Sequence, residues 1–190
     1  MKKFDDSDIK IFGNQKKSDD FDPMLLLEEI KRQRGTGNTA KAKTVAKHIA
    51  AGFMHNAAPD ELKQLAAQYG VELSPVINHQ IKVLSVFSAE YALNEFLPSP
   101  LLSSVAINEL YESILDESPD FYEQLESGTA FTFYYLAVRS GGNRDKEIGS
   151  AFASQCGKEK DKALTALGTA IHKINIEAYR SLISGFNFES

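Results

Sequence analysis

The sequence predicts an all-α protein, an irregular single-domain bundle of about eight helices around one helix apolar on two sides. Three observations lead there. Five of the six prolines, Pro23, Pro59, Pro75, Pro100 and Pro119, each open a helical pattern. Glycines stand where most of those patterns end. The single stretch with strand character has no second strand to pair with, so its amides would have no ladder to join.

Proline suits the first helical position because the amide there has no intrahelical partner. The residues just before the five prolines are Asp22, Ala58, Ser74, Ser99 and Ser118, and Asp or Ser at that place can cap the helix.

Residues 1–22 are rich in Lys, Asp, Ser and Asn, with Phe4, Ile9, Ile11 and Phe12 as the sizeable apolar residues before Phe21. They are expected to form a flexible tail, and 23–190 the helical domain. The first helix covers 23–33 and is closed by Gly35 and Gly37; the second covers 39–55. The third, 59–69, stops at Gly70. The fourth, 75–97, carries Ile77, Ile81, Leu84 and Tyr91 on one face and Val76, Val83, Val86 and Leu93 on the other, which makes it the central helix. The fifth covers 101–116. The sixth, 119–139, is bent at Gly128 and ends at Gly141 and Gly142. The seventh, 144–156, stops at Gly157, and the eighth, 159–184, at Gly185. Within the sixth, 129–138 reads TAFTFYYLAV, a run of high strand propensity assigned to helix for want of a partner strand. No fixed repeat period links these segments.

The 190 residues are 43% hydrophobic and 25% charged, too apolar for a wholly disordered chain. Cys156 is the only cysteine, so an intrachain disulfide is excluded and a reducing, cytoplasmic setting is expected. Lys2 and Lys3 are followed by Asp5, Asp6 and Asp8 where a signal peptide would be apolar. The longest uncharged stretch, 96–108, is 13 residues and contains Pro98 and Pro100, which is too short and too broken to span a bilayer.

The net charge of −5 conceals a segregation along the chain. Residues 31–48 contain Lys31, Arg32, Arg34, Lys41, Lys43 and Lys47 and no acid. Residues 83–138 contain Glu90, Glu95, Glu109, Glu112, Asp116, Glu117, Asp120, Glu123 and Glu126 and no Lys or Arg. The most economical function is therefore non-catalytic: an interaction or regulatory module that binds a protein partner, or itself, through opposed basic and acidic surfaces. The basic segment would dock on the acidic one, within one chain or between two. No cofactor and no membrane partner are expected.

The candidate anion- or partner-binding residues are Arg32, Arg34, Gly35, Gly37, Asn38, Thr39, Lys41, Lys43 and Lys47. A glycine turn entering a helix can aim free amides at an anion, and Arg32, Arg34, Lys41 and Lys43 flank it. No Gly-Lys-Ser/Thr ending follows a strand, so this is not a phosphate-binding loop of the nucleotide-hydrolase kind. On the second helix Ala42, Val45, Ala46, Ile49 and Phe53 share one face, and Lys41, Lys43, Lys47, His48 and His55 the other. Glu109, Glu112 and Asp116, at i, i+3 and i+7, form the candidate acidic partner face; like charges at that spacing repel and need solvent or a cationic neighbour. No Glu-x-x-His pair supports a metal site. His79 and His172 read as hydrogen-bonded interior or rim histidines, Cys156 as a packing residue, and the aromatics of 121–135 as core.

Two alternatives belong to other classes. Leu65, Ala66, Gly70, Val71 and Val76 fall at a spacing that resembles the helix-turn-helix motif of bacterial repressors, over about 20 residues. This resemblance implies nucleic-acid binding through 61–82, or through the basic segment 31–48. The sequence departs from the motif at Pro75, which lies inside the would-be recognition helix, and at His79, where an aliphatic residue is usual. The other alternative is an enzyme or binder acting on a phosphorylated small molecule at the 35–39 turn. No nucleophile–base–carboxylate order stands out, so the balance leans away from an enzyme.

Overall fold

A computed structural model describes residues 23–54 and 59–189. The tail expected at 1–22, the residues capping Pro23 and Pro59, and His55 lie outside the described residues. Among those described, nine helices and no strand form an all-α bundle. They are α1 (Pro23–Gly35), α2 (Asn38–Met54), α3 (Pro59–Gln68), α4 (Pro75–Phe96), α5 (Pro100–Glu117), α6 (Pro119–Ser127), α7 (Ala130–Arg139), α8 (Arg144–Gln155) and α9 (Lys162–Ser184).

The ninth helix arises at Gly128. The segment expected as one bent helix is broken there, because Gly128 is extended (φ −82°, ψ 150°). The strand-prone TAFTFYYLAV run is helical as α7. The proline starts are capped as expected at two places: Ser74 Oγ accepts from Ile77 N at 3.2 Å, and Ser99 Oγ from Leu102 N at 3.3 Å. Ser118 does not cap with its side chain. Its backbone closes the preceding helix instead, Ser118 N donating to Ile114 O at 2.8 Å. The last helix starts at Lys162 rather than 159, because the Asp161 carboxylate accepts from Ala163 N and Leu164 N and makes Asp161 the cap.

The core centres on α4. Eleven of its residues are buried, from Ile77 to Leu93, and they include members of both expected faces. Val76 departs from that pattern at 55% exposed. α9 crosses α4, α8 packs on α9, and α2 lies along α5. The α8–α9 approach depends on two glycines. A Cβ on Gly149 would collide with Thr169 Oγ1 and Thr165 O, and one on Gly168 would sit 2.7 Å from Phe152 Cβ. The α2 face toward the core is made of Ala42, Val45, Ala46, Ile49 and Ala50, all buried, and their small size lets α5 come close.

α3 is different. Among its residues of described burial, Ala66 is the only buried hydrophobic one. The chain leaves it through Gly70, whose φ of +68° is accessible to glycine at little strain, and Val71 N returns to Ala66 O at 2.9 Å.

Candidate functional site

Helical spacing puts Lys43 and Lys47 one turn apart on the same side of α2, and the packing of α2 on α5 brings both to Glu109. Lys43 Nζ lies 2.6 Å from Glu109 Oε2, and Lys47 Nζ lies 3.1 Å from Oε1. The lysines are half to two-thirds exposed, whereas the Glu109 side chain keeps only 8% of its surface. The hydrogen bond from Lys43 is the main reason the Glu109 carboxyl sits below its ordinary value; Lys47 adds to it and burial opposes it. The same bond raises Lys43. Glu109 therefore belongs to an internal seam and not to a solvent face.

Glu112 and Asp116, the other two residues of the candidate acidic face, are exposed. Asp116 lies about 10 Å further along the helix axis than Glu109, at 1.5 Å per residue, beyond the lysine pair. On α6, Asp120 and Glu123 are also exposed. Between Glu112 and Asp116 stands Leu115, 43% exposed. It sets an exposed apolar side chain beside two carboxylates.

The turn at 35–39 is occupied by the chain itself. Asn38 is fully buried and bonds the C-terminal segment through both ends of its amide: Nδ2 donates to Glu189 O at 2.7 Å, and Oδ1 accepts from Glu189 N at 3.0 Å. Nδ2 also donates to Gln33 Oε1 at 2.7 Å. Lys41 Nζ donates to Asn187 O at 3.0 Å and lies 3.7 Å from Glu189 Oε1. His48 meets Phe186 with ring centroids 6.0 Å apart. Arg32 is held by Glu29 through two bonds of 2.9 Å. Gly37 supplies the positive φ of the turn, and Thr39 is half-buried on it. Arg34, beside Gly35, is exposed, as is Lys31. The nine candidate residues thus divide into Lys43 and Lys47 at the α2–α5 seam, Asn38 and Lys41 in a latch on the C-terminal segment, Arg32 paired within α1, exposed Arg34, and Gly35, Gly37 and Thr39 in the turn itself.

Several polar groups went unassigned in the sequence. Glu90 on α4 accepts from Tyr111 Oη on α5 at 2.8 Å and from Tyr135 Oη on α7. Burial first, then the Glu90 charge, raises both phenols. Arg144 donates to Tyr91 Oη, with its guanidinium 5.5 Å from that ring's centre. The only sequence signal was a lone Glu inside an apolar helix and tyrosines in an aromatic cluster.

His172 is 2% exposed and lies 2.8 Å from Ser88 Oγ through Nδ1. Ser88 donates its one hydrogen to Leu84 O at 2.8 Å. The network therefore assigns the imidazole proton to Nδ1, donating to Ser88, so the ring cannot act as a base toward that hydroxyl. Burial drives the histidine down to about 4, and it is neutral at pH 7. His79 packs edge-on against Phe121 at 5.8 Å. Half-buried Cys156 has its thiol pushed up to about 11 by burial, and so is not an activated nucleophile.

In the segment that resembles a helix-turn-helix, α4 is buried from Ile77 onward for most of its length. That leaves Val76 and Asn78 as exposed residues of its first turn, little surface for reading a groove. Among the described residues no helix is long and apolar enough to cross a membrane, and no cluster of three or more His, Cys, Asp or Glu is placed to hold a metal. A cavity of about 1090 Å³ lies between α3, α4, α9 and the end of α2, away from the α2–α5 seam and the 35–39 turn, with Leu65, Val71 and Asn78 in its lining.

No protein-family model matches the chain, and no curated protein and no solved structure is significantly similar to it.

Proposed function

We propose that this chain is a non-catalytic helical interaction module whose α5–α6 face docks a basic protein surface. The observation that carries the reading is exposed Leu115 flanked on α5 by exposed Glu112 and Asp116, and followed on α6 by exposed Asp120 and Glu123, in a stretch of 56 residues without a cation. An apolar centre with a charged rim is the anatomy of a protein interface, and the rim carboxylates would steer a cationic partner into register. Of the cations of 31–48, Lys43 feels the charge of Glu112, but most are held by other groups. Lys43 and Lys47 are engaged with Glu109, Lys41 with the C-terminal segment and Arg32 with Glu29. Lys31 and Arg34 are too few to serve a second copy well, which favours a foreign partner over self-association.

The test is fluorescence anisotropy of a labelled lysine- and arginine-rich peptide containing leucine, at low and high salt. Binding that weakens with salt, and falls about tenfold in E112Q/D116N/D120N/E123Q and severalfold in L115A, is expected. Equal binding by these variants would contradict the reading. A labelled DNA duplex is expected not to bind even at low salt.

A further inference from the structure

The 1090 Å³ cavity lies at the upper end of the 300–1,000 Å³ usual for small-molecule sites. Its roof is α3, which turns Leu62 and Leu65 toward it without filling it. Its floor and far wall are Ile81 of α4 and Ile171, Ile174 and Tyr179 of α9. Where α8 meets α9, Gly149 and Gly168 leave no room for a methyl group, so an open cleft of this size under α3 is a local departure from close packing.

The polar part of the wall is specific. Asn78, Lys82 and Ser85 follow i, i+4 and i+7 and share one stripe of α4, all lining the cavity. Asn175 of α9 faces them, its Nδ2 donating to Ser85 Oγ at 3.1 Å. An amide nitrogen carries two hydrogens, so a second donor remains there. Lys82 is half-buried and has no carboxylate within ion-pair distance among the described residues. Lys41, Lys43, Lys47, Lys63 and Lys173 each have one. Glu61 lies on the outer rim, exposed, and makes no ion pair with Lys82.

We propose that the cleft beneath α3 binds a long-chain carboxylate, its acyl chain along the aliphatic walls and its head group on Lys82, with Asn175 as second donor. The walls select length and apolarity. The lone half-buried ammonium selects one negative charge, because a neutral head would leave it unpaired and a polar chain would lose the wall contacts.

The test is titration of the full chain with oleate, kept below self-aggregation, by displacement of a dansyl-labelled fatty acid. Oleyl alcohol and octanoate are run alongside. Saturable one-to-one oleate binding is expected, with oleyl alcohol and octanoate each at least tenfold weaker. Lys82→Gln should weaken oleate about tenfold and leave oleyl alcohol unchanged. Leu62→Trp, on the roof rather than in the core, should block the probe while thermal unfolding stays near that of the parent chain. Absence of saturable binding, equal affinity for oleate and oleyl alcohol, or an unaltered oleate affinity in Lys82→Gln would each overturn the proposal. So would binding at many sites indifferent to Leu62→Trp, the mark of surface adsorption.

Discussion

The α2–α5–C-terminal side of the bundle and the α3 flank are built on opposite terms. On the first, the buried polar groups are answered: Glu109 by two lysines, Asn38 by Gln33 and the Glu189 backbone. Small side chains close the gap between α2 and α5. On the second, a ten-residue helix buries one alanine over a cavity, and the half-buried lysine below it has no counter-ion among the described residues. Local stability follows buried apolar contact and satisfied polar groups. The first region is therefore the frame, and it spends its charges on itself. What is left exposed is the acidic stretch around Leu115, further along α5 than the lysine pair, and the cleft under α3.

Substitutions should separate the two regions by size of effect. The largest falls on the frame's tightest contact. Gly149→Val forces a side chain into Thr165 and Thr169 of α9 and should lower stability by about 3 kcal/mol or more, measured by urea unfolding. A loss under about 1 kcal/mol would mean that α8 and α9 can slide apart.

Next is the seam. Lys43→Met with Lys47→Met strands a buried carboxylate and should cost about 2–4 kcal/mol. Adding Glu109→Met should restore much of it. A triple variant no more stable than the double would show that the lysines act independently of Glu109.

A pH titration comes third. His172 sits at about 4 in the fold against an ordinary 6.5, so the unfolded chain takes up the proton first. Stability is complete above pH 6.5 and falls as pH drops toward 4, by at most about 3 kcal/mol. His172→Gln should flatten that limb. Glu109, lowered in the fold, contributes stability that is lost at still lower pH, as its carboxylate is finally protonated. That lower limb should survive in His172→Gln.

The smallest effect belongs to the flank: Leu62→Ala on α3 should cost about 1 kcal/mol or less, since the side chain is half-buried over a void. A loss as large as that of the lysine pair would erase the contrast between the regions.

Much of the fold was legible because its signals are local. Pro75 and Pro100 with their serine caps, the glycine stops, the alanine face of α2 and the two-sided burial of α4 all lie within a few residues of what they determine. The break at Gly128 was half legible: a bend was expected, and an extended residue that separates two helices was found. The site was less legible because its contacts are distant. Lys43 meets Glu109 across 66 positions and Asn38 meets Glu189 across 151. No pattern of charge or spacing marks such a pairing. The strip of Glu109, Glu112 and Asp116 was correct as helix geometry, but it divided once α2 covered one of the three. The charge blocks showed that something opposed lay in this chain. They did not show that Lys43 and Lys47 would be taken up by a single carboxylate, leaving most of the other acids exposed.

The most direct measurement is an amide-resolved NMR titration of the full chain with the lysine- and arginine-rich peptide. The predicted result is a set of shifts confined to 112–126, fading as salt is raised, with 31–48 and α3 unchanged. Shifts centred on 31–48, or no shifts at low salt, would contradict the claim that the acidic face around Leu115 is the docking surface.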